Sequence, residues 1–111
     1  MEPRVKAEFW VKALIRRSET AGAFAAVVHK GDETAGSMIL KINTLDGHAR
    51  ALVPGYAIEG HRVWRSQPGT EPVAENDVDA YIARAIERDP DLWVVEIEDR
   101  EGRHFLGEPT E

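Results

Sequence analysis

Along the first twenty residues the hydrophobic pattern satisfies two periods at once. Val5, Ala7, Phe9, Val11, Ala13 and Ile15 alternate as in a strand, while Ala7, Trp10, Val11, Leu14, Ser18 and Ala21 line one face of a helix. The strand option leaves Trp10 and Leu14 on the polar side. Gly22 stands where a helix C-terminus favours glycine, and Arg16 and Arg17 suit the last turns. A short extended start followed by a helix from about Glu8 to Thr20 is therefore expected.

Beyond it, "AFAAVVHK" reads as a buried strand, and "KGDETAG" as a turn whose Gly31, Asp32 and Gly36 tolerate positive φ or bond their own backbone. "SMILKINT" is a second strand. Asp46-Gly47 signals a type I′ hairpin that returns "HARALVP" antiparallel to it, ended by Pro54 and Gly55. "HRVWRS" makes a fourth strand and "QPGTEPVAEN" a loop. Val78, Tyr81, Ile82, Ala85 and Ile86 then recur at helical spacing, with Asn76 as N-cap and Asp89-Pro90 as the stop. "LWVVEIED" is the last strand, and the chain is expected to fray beyond Leu106. The order α-β-β-β-β-α-β predicts an α+β domain over residues 1–111, a mainly antiparallel sheet of about five strands with two helices on one face.

Composition narrows the chemistry. With 42% hydrophobic and 31% charged residues the chain is too apolar for a disordered segment. No apolar run approaches the roughly 20 residues that cross a bilayer, and "MEPRVKAEF" lacks the apolar stretch of a signal peptide, so a cytoplasmic location without membrane contact is expected. There is no cysteine to form a disulfide, a thiolate nucleophile or a zinc ligand. The net charge of −6 divides into +3 over residues 1–70 and −9 over 71–111. Such a balance argues against general nucleic-acid binding, which draws on lysine and arginine displacing counterions.

The stretch "DPDLWVVEIEDREGRHF" concentrates the acidic residues. In a strand, Trp93, Val95 and Ile97 share one face, which goes to the core, and Leu92, Val94, Glu96 and Glu98 share the other. Glu96 and Glu98, with Asp99 and with Asp89 or Asp91, offer carboxylates for a hard cation or an acid/base pair. However, the stretch does not fit the Ca²⁺ loop pattern, with no glycine or glutamate at the central and terminal positions that loop requires, and a solvated strand face accounts for it more simply. His29, His48, His61 and His104 form no zinc pattern, the serines lack a nucleophile-elbow setting, and no phosphate-loop motif occurs. No cofactor or metal is therefore assigned.

Three further groups are candidates for binding. Arg62 and Trp64 share a strand face and, with Arg16 and Arg17, would make a base-stacking basic patch if the fold brought them together. Arg84 and Arg88, one turn apart and off the apolar stripe, are expected to meet the C-terminal carboxylates or a partner.

Three blocks, "FWVKALIRRSETAGAFAAVV", "KGDETAGSMILKIN" and "VDAYIARAIERDPDLWVVEIEDREGRHFL", resemble an uncharacterised alphaproteobacterial family, DUF1491. The resemblance spans nearly the whole chain, and the combination of Asp89-Pro90-Asp91 with Leu92-Trp93 and Glu96, Glu98 and Asp99 is its most specific part. Lys30 stands where that family usually carries arginine, so a two-pronged arginine contact there is not carried over. The resemblance implies a bacterial protein and supplies no activity, cofactor or catalytic residue. The leading expectation is a non-enzymatic module that binds another protein, or itself, through a sheet edge or its charged faces. A small metal-dependent or acid/base enzyme and an RNA-contacting module are the alternatives.

Overall fold

The first helix forms as α1, Ala7–Thr20, with Val11, Leu14 and Ser18 buried at successive turns. Gly22, at φ 91°, reverses the chain so that the Gly22 and Ala23 amides return to the carbonyls of Glu19 and Ser18. The structure, a computed structural model, describes residues 6–34, 36–69, 71–107 and 110. The extended start at residues 1–5 lies outside the described residues. The remaining elements are β1 (Phe24–His29), β2 (Met38–Asn43), β3 (His48–Tyr56), β4 (Arg62–Gln67), β5 (Val73–Ala74), α2 (Glu75–Arg88) and β6 (Trp93–Glu98). This is the α+β order expected, with the two-residue β5 added inside the tract read as a loop.

The strands lie in the order β1-β6-β2-β3-β4, and β5 also pairs with β3. β2 and β6 run parallel and the other neighbours antiparallel. The acidic strand β6 is thus interior, inserted between two strands that precede it in sequence. β4 and β5 lie in line along β3: Gln67 faces Ala51, Val73 faces Ala49, and the chain leaves the ladder between them. β5 and β6 are parallel, so α2 is the crossover that joins them over β3 and β2.

That crossover corrects the expectation of two helices on one face. α1 covers Leu40, Ile42, Leu52, Trp64, Val95 and Ile97, while Val78, Ile82 and Ala85 of α2 cover Ile39, Ala49, Ala51 and Val94 on the opposite face. All six residues of β2 are buried. A strand apolar on both sides needs a layer on each.

Local corrections have similarly plain causes. The hairpin between β2 and β3 has positive φ at Leu45 and Gly47, not at Asp46 and Gly47, so it is not a type I′ turn. Asp46 instead accepts the His48 amide and the Thr44 hydroxyl. β3 continues through Pro54 and Gly55 to Tyr56, because past Leu52 it pairs with β4 only, where proline is tolerated. α2 begins one residue before Asn76, and the Glu75 amide bonds to the Gly47 carbonyl in place of a side-chain cap. Near the C-terminus Thr110 forms an isolated parallel bridge with Trp64 of β4.

The "KGD" turn is tight for a reason other than φ. Neither Gly31 nor Gly36 has a positive φ; a Cβ on either would strike the Asp91 carbonyl and the Trp93 ring. The Asp32 amide bonds to the Asp91 carbonyl, and Trp93 Nε1 donates to the Asp32 carbonyl at 2.7 Å. Gly31→Ala is expected to destabilise the fold by about 2 kcal/mol, because backbone and not a flexible side chain must move. A urea midpoint unchanged from the parent would contradict this packing.

Candidate functional site

β1 was expected to be buried, yet it forms one edge of the sheet. It pairs with β6 on one side, and no backbone hydrogen bond reaches its outer side among the described residues. Phe24 (59% exposed), Val27 (42%) and Val28 (56%) are therefore large apolar side chains open to solvent. Val28 is the extra residue of a bulge, since Val27 faces Val95 and His29 faces Val94. Apart from that bulge, the strand carries none of the usual edge protection: no acidic, lysine or arginine side chain and no proline in its sequence, and no covering segment among the described residues. The opposite edge differs, with Arg62, Arg65 and Pro68 in or beside β4 and Thr110 bridging to it.

The two faces of β1 differ in chemistry. On the α1 side Val27 lines a cavity of about 240 Å³ with Val11, Ile15 and Trp93 and with Glu8, Lys12 and Lys30. Those lysines pair locally, Lys12 with Glu8 at 3.1 Å and Lys30 with Glu33 at 3.6 Å. On the α2 side Phe24 lies opposite Glu98 and Ala26 opposite Glu96.

Glu96 belongs to a polar cluster that ties α2 to the sheet. Lys41, whose side chain is 7% exposed, donates to Glu75 at 2.6 Å and Asp79 at 2.7 Å and lies 3.8 Å from Glu96. Asn43 donates to both Glu75 and Glu96. Burial alone would lower the Lys41 pKa, but the hydrogen bonds to Asp79 and Glu75 and the charge of Glu96 outweigh it and hold it above 10.5. Lys41 is thus kept as an ammonium, which is unsuited to a lysine nucleophile or base. Glu98 is half-buried and makes no ion pair among the described residues.

The other sequence candidates do not join this cluster. Asp99 is buried and accepts the Arg103 guanidinium at 2.8 and 3.0 Å and the Arg103 amide at 2.8 Å, which hold its pKa below the ordinary value. Asp89 and Asp91 are exposed at the other end of β6, about 20 Å from Glu98 by strand rise. The Asp89 carboxylate accepts the Asp91 amide, closing that turn. Among the described residues no group of three His, Cys, Asp or Glu is placed to hold a metal ion.

Arg84 and Arg88 are exposed on α2 and make no ion pair among the described residues, so the C-terminal carboxylates do not meet them there. Arg16 and Arg17 are exposed on α1, and Arg17 Nε donates to the Phe105 carbonyl. Arg62 opens β4, and its side chain lies outside what the structure describes. Trp64 is fully buried and stacks on Trp10 at 5.7 Å, so it is not the surface indole that base stacking requires.

Sequence reasoning missed Lys41, Asn43, Glu75 and Asp79, whose convergence depends on the crossover. It also misplaced Phe24, Val27 and Val28. The signal was there in part: "FAAVVH" does not alternate, as a strand half-covered on both faces need not.

Solved structures share this fold. A crystal structure of a DUF1491 family protein from Caulobacter crescentus CB15 is 47% identical with a TM-score of 0.86, over 97% of this chain and 100% of that one. An NMR structure of a DUF1491 family protein from the same organism, also 47% identical, has a TM-score of 0.82 and covers 99% of each chain. A protein from A. tumefaciens is 32% identical, with a TM-score of 0.79 over 98% of each chain. A comparison with curated proteins gives no match. The "KGD" and "DPDLW" blocks that carry the resemblance are in contact here, through Gly31, Asp32, Asp91 and Trp93. The family model described as protein of unknown function (DUF1491) matches residues 5–107, and the chain belongs to that family.

Proposed function

We propose that this chain is a non-enzymatic protein-interaction module that binds an extended segment by adding it as a strand to β1. The observation that carries the reading is the contrast between the two sheet edges. β4 has arginines, a neighbouring proline and a bridging residue, while β1 presents backbone without an outer partner among the described residues, flanked by Phe24, Val27 and Val28. Main-chain hydrogen bonds supply affinity in strand addition, and pockets for alternate side chains supply selectivity. The cavity beside Val27 is such a pocket. A bacterial source fits the relatives from C. crescentus and A. tumefaciens. A cytoplasmic setting is part of the proposal and is checked by cell fractionation.

An arrayed library of ten-residue peptides tests the reading. Binders are expected to shift the amide resonances of Phe24–His29; shifts confined to α2 or to the β3–β4 hairpin would sink it. Phe24→Lys with Val28→Lys places charge on the open edge at exposed positions. The double substitution is expected to abolish binding while changing stability by no more than about 0.5 kcal/mol per site.

A further inference from the structure

The chemistry around β1 specifies what kind of strand the edge accepts. Resting on the strand-addition reading, we infer that the partner is a basic extended segment. It carries lysine or arginine at alternate positions on the α2 side of the sheet and apolar side chains at the intervening positions on the α1 side.

Three observations lead there. First, on the α2 side the strand beside β1 carries Glu96 and Glu98, and further in, around Lys41 of β2, stand Glu75 and Asp79 of α2; these four carboxylates exceed the one Lys41 charge among them by three. Lys41 is turned inward and held by three of these carboxylates, so it is not placed to screen an incoming chain. Second, the residue between the open edge and Glu96 is Ala26. A partner residue opposite Ala26 sits two strand spacings, about 9.6 Å, from Glu96. A lysine or arginine stem can lie across the alanine methyl with its charged head at the carboxylate. Glu98, without an ion pair among the described residues, stands one pleat further along beside the exposed Phe24. Third, on the α1 side the partner's intervening side chains meet Val27 and the cavity lined by Val11, Ile15 and Trp93. That cavity takes an apolar group.

Charge also weighs against a second copy as occupant. Two β1 strands paired to one another would bring together two chains of net charge −6, each with the same acidic side beside the joint.

The test uses the full chain and fluorescence anisotropy with four labelled ten-residue peptides. One alternates valine and lysine, one valine and glutamate, one is a scramble of the first, and one is the first with alternate amides N-methylated. The valine–lysine peptide is expected to bind at least tenfold more tightly than the valine–glutamate peptide at low salt. Its affinity should fall as salt rises and should drop severalfold with Glu98→Gln, a change that breaks no ion pair among the described residues. N-methylation should abolish binding.

Equal binding of the lysine and glutamate peptides would overturn the inference and leave strand addition standing. Undiminished binding of the N-methylated or scrambled peptide would overturn strand addition itself. Binding of none, with a concentration-dependent dimer in sedimentation that Phe24→Lys abolishes, would assign the edge to a second copy and overturn the basic partner. Binding of none by a monomer would overturn both readings.

Discussion

Trp64→Ala is expected to cost about 3–5 kcal/mol, from lost transfer energy and from the cavity left behind. Trp64 is fully buried and lies under α1, its ring stacked on Trp10 at 5.7 Å and 20°. It is thus the main hold of β4 on the helix that covers that face. The pair adds about 0.5–1.5 kcal/mol beyond buried area, so Trp10→Ala and Trp64→Ala should be less than additive. For a chain of this size the single loss corresponds to a fall in Tm of about 15 °C. Urea unfolding followed by circular dichroism measures it, with the midpoint falling at unchanged slope. Stability within about 1 kcal/mol of the parent would mean that Trp64 is not the buried anchor described.

Lys41→Met is expected to destabilise the fold by about 2–3 kcal/mol. Removing one partner of a buried ion pair commonly costs about 3–5 kcal/mol, because charges are left without compensation. Here Glu75 and Asp79 are 36% and 51% exposed and partly solvated, which places the loss toward the lower end. The variant leaves Glu75, Asp79 and Glu96 facing one another, so adding Asp79→Asn should recover part of the loss. The pH dependence has a definite sign. A group whose pKa is raised on folding contributes fully below its unfolded value and loses that contribution as pH rises through its folded value. The difference between parent and variant should therefore hold steady up to about pH 10.5 and narrow above it. A difference already gone at pH 8 would show that the ammonium is not what joins α2 to the sheet.

How much of this was legible follows from which contacts are local. The stripe of Val78, Ile82 and Ala85 makes a helix by spacing alone, and those three are its buried residues. Gly22 and Asp89 mark the helix ends for reasons contained within a few residues. Strand order is different, because β6 reaches its place between β1 and β2 by a crossover that no local signal encodes. A cue existed in "LWVV", apolar on both faces, which suits an interior strand with a parallel neighbour.

Once β6 is interior, β1 becomes the edge, and "FAAVVH" changes from core to open surface. The same rearrangement parts the acidic residues by role. Glu96 joins Lys41, Asp99 holds Arg103, Asp89 closes a turn, and Glu98 is left beside the free edge. Lys41 itself looked like one polar position in "MILKIN", and only α2 lying above it explains its burial.

Residue-resolved amide hydrogen exchange, on the free protein and on the protein saturated with the valine–lysine peptide, tests the open β1 edge most directly. In the free protein every second amide from Phe24 to Val28 should exchange fast, since it points away from β6, while its neighbours are protected. On saturation the fast set should slow, and the amides of β4 should not. Uniform protection of β1 in the free protein, or a peptide that leaves the fast set unchanged, would contradict the account.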